Sequence, residues 1–337
     1  MRQHKHAQVT IDEVARRARV SISTVSRVLN ELDRVHPQTR ERVLAAMKDL
    51  NYQPSAYARG LAKQRSQTLG FVIPNISDPF FLEVVRGVED VTTPAGYGLL
   101  VVSQPAATGD HRYMKLFTER RVDGLVLVAI DVRRANVEHM LRRHIPVALI
   151  QQDIGDDLAT FRVDNYGAAC ALTEHLLEHG RRRIAYIAGS DHTPDNAERF
   201  RGLRDTLATA GLHLPPERLA KGDYLRGSGY HAMQALLQPA ERPDGVFAAN
   251  DQMASDALIA IRERGLRVPE DIALVGFDDV PLASYVIPPL TTARQPIYEL
   301  GRQAALAVLG ALDGAPLAAR VVLPVPIVIR HSCGCSS

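Results

Sequence analysis

The chain has 337 residues, of which 46% are hydrophobic, and a formal net charge of +2, which is material for two or three compact units and excludes an intrinsically disordered chain. The near-neutral total hides an asymmetry: residues 1–65 hold 13 Lys/Arg against 6 Asp/Glu, net +7, leaving 27 against 32, net −5, for the remainder. A basic head on an acidic body suits a nucleic-acid-binding module joined to a domain with another task.

The N-terminus, MRQHKHAQV, has no apolar h-region, and no later run approaches the ~18 apolar residues of a membrane span, so neither export nor membrane insertion is expected. His4 and His6 are read as part of a basic arm near phosphate in preference to a metal site. Residues Thr10 to Asn30 then predict two short helices joined by a tight turn. Val14, Ala15 and Ala18 form one apolar stripe and Val25, Val28 and Leu29 another, enough for a small shared core. Ser21 stands where an N-cap belongs for a helix from about Ile22 to Leu29, which leaves Ile22, Ser23, Thr24 and Arg27 on or near the outer face. That arrangement suits a recognition helix entering the major groove of DNA N-terminus first. Pro37 to Asn51 predicts a third helix, with Pro37 in its first turn and Val43, Leu44, Met47 and Leu50 at helical spacing.

VxxxTVSRVLN, followed some twenty residues later by NYQPSAYARGL, resembles the LacI family of bacterial transcription regulators. Two departures stand out. Arg19 occupies a turn position where many members carry Gly, at roughly 1 kcal/mol if the residue must be left-handed. His36 stands where many carry Ser, a poorer cap at about 1 kcal/mol. Residues 52–66 correspond to the family's hinge, in which Pro54 can open a short helix, Ser55 to Lys63, too brief to be stable alone and weakened further by Gly60. The resemblance implies that two such helices pair in the minor groove with Leu61 as a wedge between base pairs. The other reading tucks Leu61 against the protein's own surface. Arg59 and Lys63 would neutralise phosphates. Thr10, Ser21, Ile22, Ser23, Thr24, Arg27, Asn30, Tyr52, Ala58, Arg59, Leu61 and Lys63 are thus the candidate DNA-binding residues. For Arg27, a bidentate contact to guanine and a grip on phosphate both stand.

From Thr68 onward, apolar runs of strand length (LGFVIP, YGLLVVS, GLVLVAI, VALIQQ, RIAYIAG, GVFAAN, IALVGF) alternate with helical stretches, as in parallel sheets covered on both faces. The expected architecture is an all-α helix-turn-helix head (1–51) and hinge (52–66) joined to an α/β, Rossmann-like, two-lobed, periplasmic-binding-protein-like domain (67–337). By the resemblance, lobe 1 takes about 67–165 and 296–324, and lobe 2 about 166–295 and 325–337. Ligands of open α/β sheets bind beyond the carboxyl ends of the strands, and the family's effector pocket maps onto Asp78 and Phe80 on one lobe and Arg199, Asn250 or Asp251, and Asp278 on the other. Phe81 joins the candidates, although at least one of Phe80 and Phe81 should be core. Arg199 has a surface-charge alternative, Asp278 a cap for a helix near Pro281, and Asp251 a cap for a helix from Gln252. Carboxylate and guanidinium pairs beside an aromatic wall suit a sugar or sugar derivative, with a nucleobase second.

The body shows no G-x-G-x-x-G, G-x-S-x-G or P-loop motif, and no His pair is read at metal spacing on a helix, so neither catalysis nor a cofactor is expected. Three cysteines, Cys170, Cys333 and Cys335, cannot make a disulfide framework and imply a reducing cytoplasm. The terminal Cys-Gly-Cys could bind metal or form a strained redox pair, but it is read as two thiols on a mobile tail with no nearby ligand set, and no metal is expected. The first body helix carries Leu82, Val85, Val88 and Val91, a mixed stripe for core and dimer face, and no heptad-patterned tail follows. A homodimer on near-palindromic double-stranded operator DNA is the expected assembly. A transport receptor of periplasmic sugar-binding type is the rival from another class, disfavoured by the basic head. A regulator that answers to a protein partner or to no effector is the third reading.

Overall fold

The computed structural model describes residues 9–29, 35–52, 65–104, 113–128, 132–152, 154–155, 158–190, 193–317 and 320–335. The chain divides into two compact units, 1–66 and 67–337.

In the first unit, α1 (Ile11–Ala18), α2 (Ile22–Leu29) and α3 (Pro37–Asp49) enclose a core in which Val14, Val25 and Val43 are fully buried. The Thr10 backbone N–H donates to the Glu13 carboxylate at 2.8 Å, which satisfies one free donor at the start of α1. Arg19 ends α1 in the left-handed region (φ 57°), while Val20 N–H returns to the Ala15 carbonyl. The left-handed turn expected at Arg19 is therefore present. His36 makes no side-chain cap bond to α3, as its chemistry suggests. Leu44 departs from expectation: it is 50% exposed, and Ala46 takes the inward place. Val43, Ala46, Met47 and Leu50 form the stripe, and Leu44 lies about 100° off it on a 3.6-residue helix.

The second unit carries two parallel sheets. The first has the order β11-β5-β4-β3-β1-β2, built from β1 (Thr68–Ile73), β2 (Gly98–Ser103), β3 (Gly124–Val128), β4 (Val147–Ile150), β5 (Ala159–Val163) and β11 (Arg320–Leu323). The second has the order β7-β6-β8-β9, from β6 (Ile184–Ala188), β7 (Leu219–Lys221), β8 (Gly245–Ala248) and β9 (Ala273–Val275). Strands β1, β3, β4, β6, β8 and β9 are buried almost throughout, because helices cover both faces. The flanking helices are α4 (Pro79–Thr92), α5 (Tyr113–Thr118), α6 (Arg134–Leu141), α7 (Asn165–Glu178), α8 (Pro194–Thr209), α9 (Ser228–Leu236), α10 (Asp251–Glu263), α11 (Leu282–Tyr285) and α12 (Ile297–Leu312). Helices α4 and α12 pack backbone to backbone: a methyl on Gly87 would land on the Tyr298 carbonyl and one on Gly301 on that of Val84. On α4, Val84 and Val88 face the core, Val85 and Val91 are half-buried, and Leu82 is 54% exposed.

The chain passes between the sheets three times, and the passages are hydrogen-bonded side by side. Asp164 N–H donates to the Leu323 carbonyl at 2.9 Å, and Arg294 N–H donates to that of Pro326 at 2.8 Å. A short antiparallel pair, β10 (Thr292–Ala293) with β12 (Ile327–Val328), reinforces the second and third.

Candidate functional site

In the head, the hydroxyls of Ser21, Ser23 and Thr24 cluster at the N-terminus of α2. Ser21 Oγ lies 2.8 Å from Ser23 Oγ and 2.9 Å from Thr24 Oγ1, and it accepts the Thr24 backbone N–H at 3.2 Å. Ser21 is thus the cap that its position predicts. Ile22 is 46% exposed and Ser23 and Arg27 are exposed beside it, while Val25 and Val28 turn inward. The result is a surface of one apolar, three hydroxyl and one cationic group at a helix N-terminus, suited to base edges and phosphate. Tyr52 belongs to the head's own packing: its ring lies against the core, and its backbone N–H donates to the Met47 carbonyl at 2.9 Å. Asn30, Ala58, Arg59, Leu61 and Lys63, like His4 and His6, lie outside the described residues.

In the body, buried polar groups collect at the carboxyl ends of β6, β8 and β9. Arg199, on α8, is only 3% exposed. Its Nε donates to Asn165 Oδ1 at 2.8 Å and its Nη1 to the Ala249 carbonyl; the guanidinium lies 3.7 Å from the Phe277 ring centroid. Two carboxylates flank it, Asp278 at 3.7 Å and Asp195 at 3.9 Å. The buried position excludes the surface-charge alternative for Arg199. Asp278 stands in a positive-φ backbone (115°) and accepts from Gln295 Nε2 at 2.6 Å; Gln295 Oε1 in turn accepts from Gln151 Nε2 at 3.2 Å. That relay runs from the second sheet, through a crossing segment, to the end of β4 in the first. No side-chain cap supports α11, whose N-cap is Pro281, so Asp278 is not the cap of that helix.

Electrostatics set the Asp278 carboxyl apart. Burial raises its pKa to about 7, more than Arg199 lowers it, and Asp78 on the facing lobe adds to the rise. Burial likewise raises Asp195 and Asp78. Tyr224 completes the group, its phenol pushed up to about 12 by burial and its hydroxyl 3.3 Å from that of Thr193. Its ring lies flat against Gly189, where a methyl would occupy the ring itself.

The remaining candidates divide. Asp78 caps α4, accepting the Phe80 N–H at 2.9 Å, and remains half-buried. Phe80 and Phe81 are both core, in an edge-to-face pair with centroids 5.2 Å apart. Asn250 caps α10 through Met253 N–H at 2.9 Å, so the helix begins at Asp251, not Gln252. Asp251 does not cap: its carboxylate accepts from Val280 N–H at 3.0 Å and from the Thr292 hydroxyl at 2.6 Å, and so fixes the loop that presents Asp278. Sequence reasoning missed Asn165, Asp195, Tyr224, Gln295 and Gln151. Asp195 lies one turn before Arg199 on α8, a usable signal at i, i+4; the two glutamines offered none.

Contrary to expectation, Cys333 and Cys335 do not lie on a mobile tail. Among the described residues, Cys333 and Cys335 lie against His175 and His179 of α7, a helical pair four residues apart that the sequence reading overlooked. Cys333 is fully buried in a turn anchored by Ser332, whose hydroxyl accepts Thr291 N–H at 2.8 Å.

Two family models match the chain: bacterial regulatory proteins of the lacI family over residues 10–55, and a periplasmic binding protein-like domain over residues 173–333. The transcriptional repressor CytR of Escherichia coli K12 is 35% identical over 311 residues, 90% of each chain. The lac repressor dimer bound to operator and the anti-inducer ONPF has a TM-score of 0.84 at 28% identity, covering 96% of this chain and 99% of that one. The CelR–cellobiose complex has a TM-score of 0.74 at 31% identity with the same coverage. No helix among the described residues is long and apolar enough to cross a membrane. A helix-turn-helix head and a two-sheet body are matched across nearly the whole length by repressors of one kind: the chain belongs to the LacI family of DNA-binding transcriptional regulators.

Proposed function

We propose that the protein is a cytoplasmic, non-catalytic repressor that binds a near-palindromic operator as a homodimer and is controlled by a small molecule held between the two lobes of its body. The observation that carries the ligand site is the buried guanidinium of Arg199, stacked on Phe277 and flanked by Asp278 and Asp195. A guanidinium and two carboxylates are costly to bury together, and at the mouths of three strands they offer donors and acceptors for adjacent hydroxyls. Asp78 would contribute from the facing lobe and Asn250 from beside Tyr224, to whose carbonyl its amide donates at 3.2 Å. Asp251 and the phenylalanine pair support the site from behind.

A sugar or sugar derivative is the favoured ligand, because the polar set outnumbers the aromatic surface; the cellobiose-bound relative is consistent with it. A nucleobase is the second reading, favoured by the flat Tyr224 and Phe277 rings. The three crossing segments, near 164–165, 294–296 and 324–326, are the hinges about which the lobes would move. Ile22, Ser23 and Arg27 would read base edges, with Thr10, Ser21 and Thr24 near phosphate. The residues Asn30, Ala58, Arg59, Leu61 and Lys63 are proposed from the resemblance alone.

The test is a thermal-shift screen of the full chain against sugars, sugar acids, sugar phosphates, nucleosides and nucleobases, repeated with Asp278→Asn. A hit lost in the variant supports the site and names its class. A hit retained in full places the ligand elsewhere, and no hit from any class favours control by a protein partner.

A further inference from the structure

The C-terminal turn and the end of α7 bring four soft donors together. His175 and His179 share one face of α7 at i, i+4, and Cys333 and Cys335 share one turn, with Gly334 between them in the left-handed region (φ 108°) so that both thiols face the helix. His179 Nε2 lies 3.1 Å from Cys335 Sγ, Cys335 Sγ lies 3.6 Å from His175 Nε2, and all four donor atoms fall within 4.8 Å of one another. A zinc tetrahedron with Zn–N of about 2.0–2.1 Å and Zn–S of about 2.3 Å has donor–donor edges of roughly 3.3–3.8 Å, so closure needs shifts of about 1 Å or less. His179 is exposed at the C-cap of α7, where the helix constrains it least. The geometry points to a Cys2His2 site for a divalent transition metal, Zn2+ by preference, that ties the C-terminus to α7.

The chemistry around the cluster agrees. Thiolate and imidazole donors in equal number select a tetrahedral soft-metal site, and no carboxylate belongs to the cluster. The Thr291 hydroxyl donates to Cys333 Sγ at 3.1 Å, an outer hydrogen bond of the kind that orients a metal-bound thiolate. Cys333 is fully buried, so its thiolate needs such a partner. The site lies at the opposite end of α7 from Asn165, the residue that holds Arg199, and its existence does not depend on the ligand reading above.

The test uses the reduced full chain, freed of metal and titrated with Zn2+ against a chromophoric chelator, and with Co2+ as a spectroscopic probe. The expected result is one metal per chain, a tetrahedral Co2+ spectrum with thiolate-to-metal charge transfer, and a rise in Tm on adding Zn2+. Cys335→Ser and His179→Gln, both at accessible positions and checked for fold by circular dichroism, should each abolish stoichiometric binding and the Tm rise. His4→Ala/His6→Ala should leave both unchanged. Absence of binding, binding that survives both cluster variants, or a Co2+ spectrum without thiolate bands would overturn the proposal.

Discussion

The Arg199 guanidinium lies face-on to the Phe277 ring, 3.7 Å from its centroid, and the next residue along the chain, Asp278, approaches the same cation. One loop after β9 therefore supplies both an aromatic wall and a carboxylate to a single buried charge. Replacing Arg199 with Met leaves Asp278 and Asp195 buried without their cation, a change that typically costs about 3–5 kcal/mol. Urea denaturation should show this loss, and a change of under ~1 kcal/mol would mean the pair is effectively solvated.

Asp278 should also give stability a pH slope. An unfolded Asp titrates near 3.8, whereas burial holds the folded group near 7, so between these values the folded chain carries the extra proton. Its contribution to stability is greatest below the unfolded value, falls as pH rises through the window, and levels off above the folded value. In Asp278→Asn this contribution is absent, so the stability of the variant relative to the parent should rise with pH across the window. Parallel pH profiles of the urea midpoint for the two proteins would count against burial as the cause.

Gly189 is required by the ring of Tyr224, which occupies the space a Cβ would take. Gly189→Ala should cost about 1–3 kcal/mol by overpacking and displace Tyr224 from the proposed ligand site. Thermal denaturation reads the first effect, and loss of the hit from the ligand screen reads the second.

Arg19→Gly relieves a left-handed residue at the end of α1, where the backbone sits at φ 57°, ψ 48°. Relief of roughly 1 kcal/mol is offset in part by the greater freedom of glycine in the unfolded chain. The head should become more stable by a few tenths to about 1 kcal/mol, as read by hydrogen exchange of α1 and α2. A loss of stability would show that the Arg19 side chain makes a compensating contact.

Much of this was legible in the sequence, for identifiable reasons. Long Val/Ile/Leu runs announced β1, β3, β4, β6, β8 and β9, because strands buried on both faces leave no polar alternation. Strand β5 (ATFRV) escaped, since Thr160 and Arg162 break the run, and β7 and β11 are short segments whose place depends on distant partners. The recognition helix was legible because its cap, stripe and outer face are all local. Leu44 was misplaced because spacing alone gives a helix face only to within about one residue. Tyr224, Gln151 and Gln295 reach the site through tertiary structure, and nothing in their neighbourhoods marks them. His175 and His179 carried a signal at i, i+4, but its meaning depends on cysteines more than 150 residues onward.

Whether the head reads DNA sequence under control of the body is decided by selecting bound sequences from a random duplex pool with the full chain and then titrating the enriched duplex with and without each compound of the ligand panel. The expected outcome is an enriched near-palindrome, its affinity altered at least tenfold by one compound, which is about 1.4 kcal/mol of coupling between the sites. Enrichment of no sequence, with binding to random duplex equally tight, would rule out sequence reading by the head.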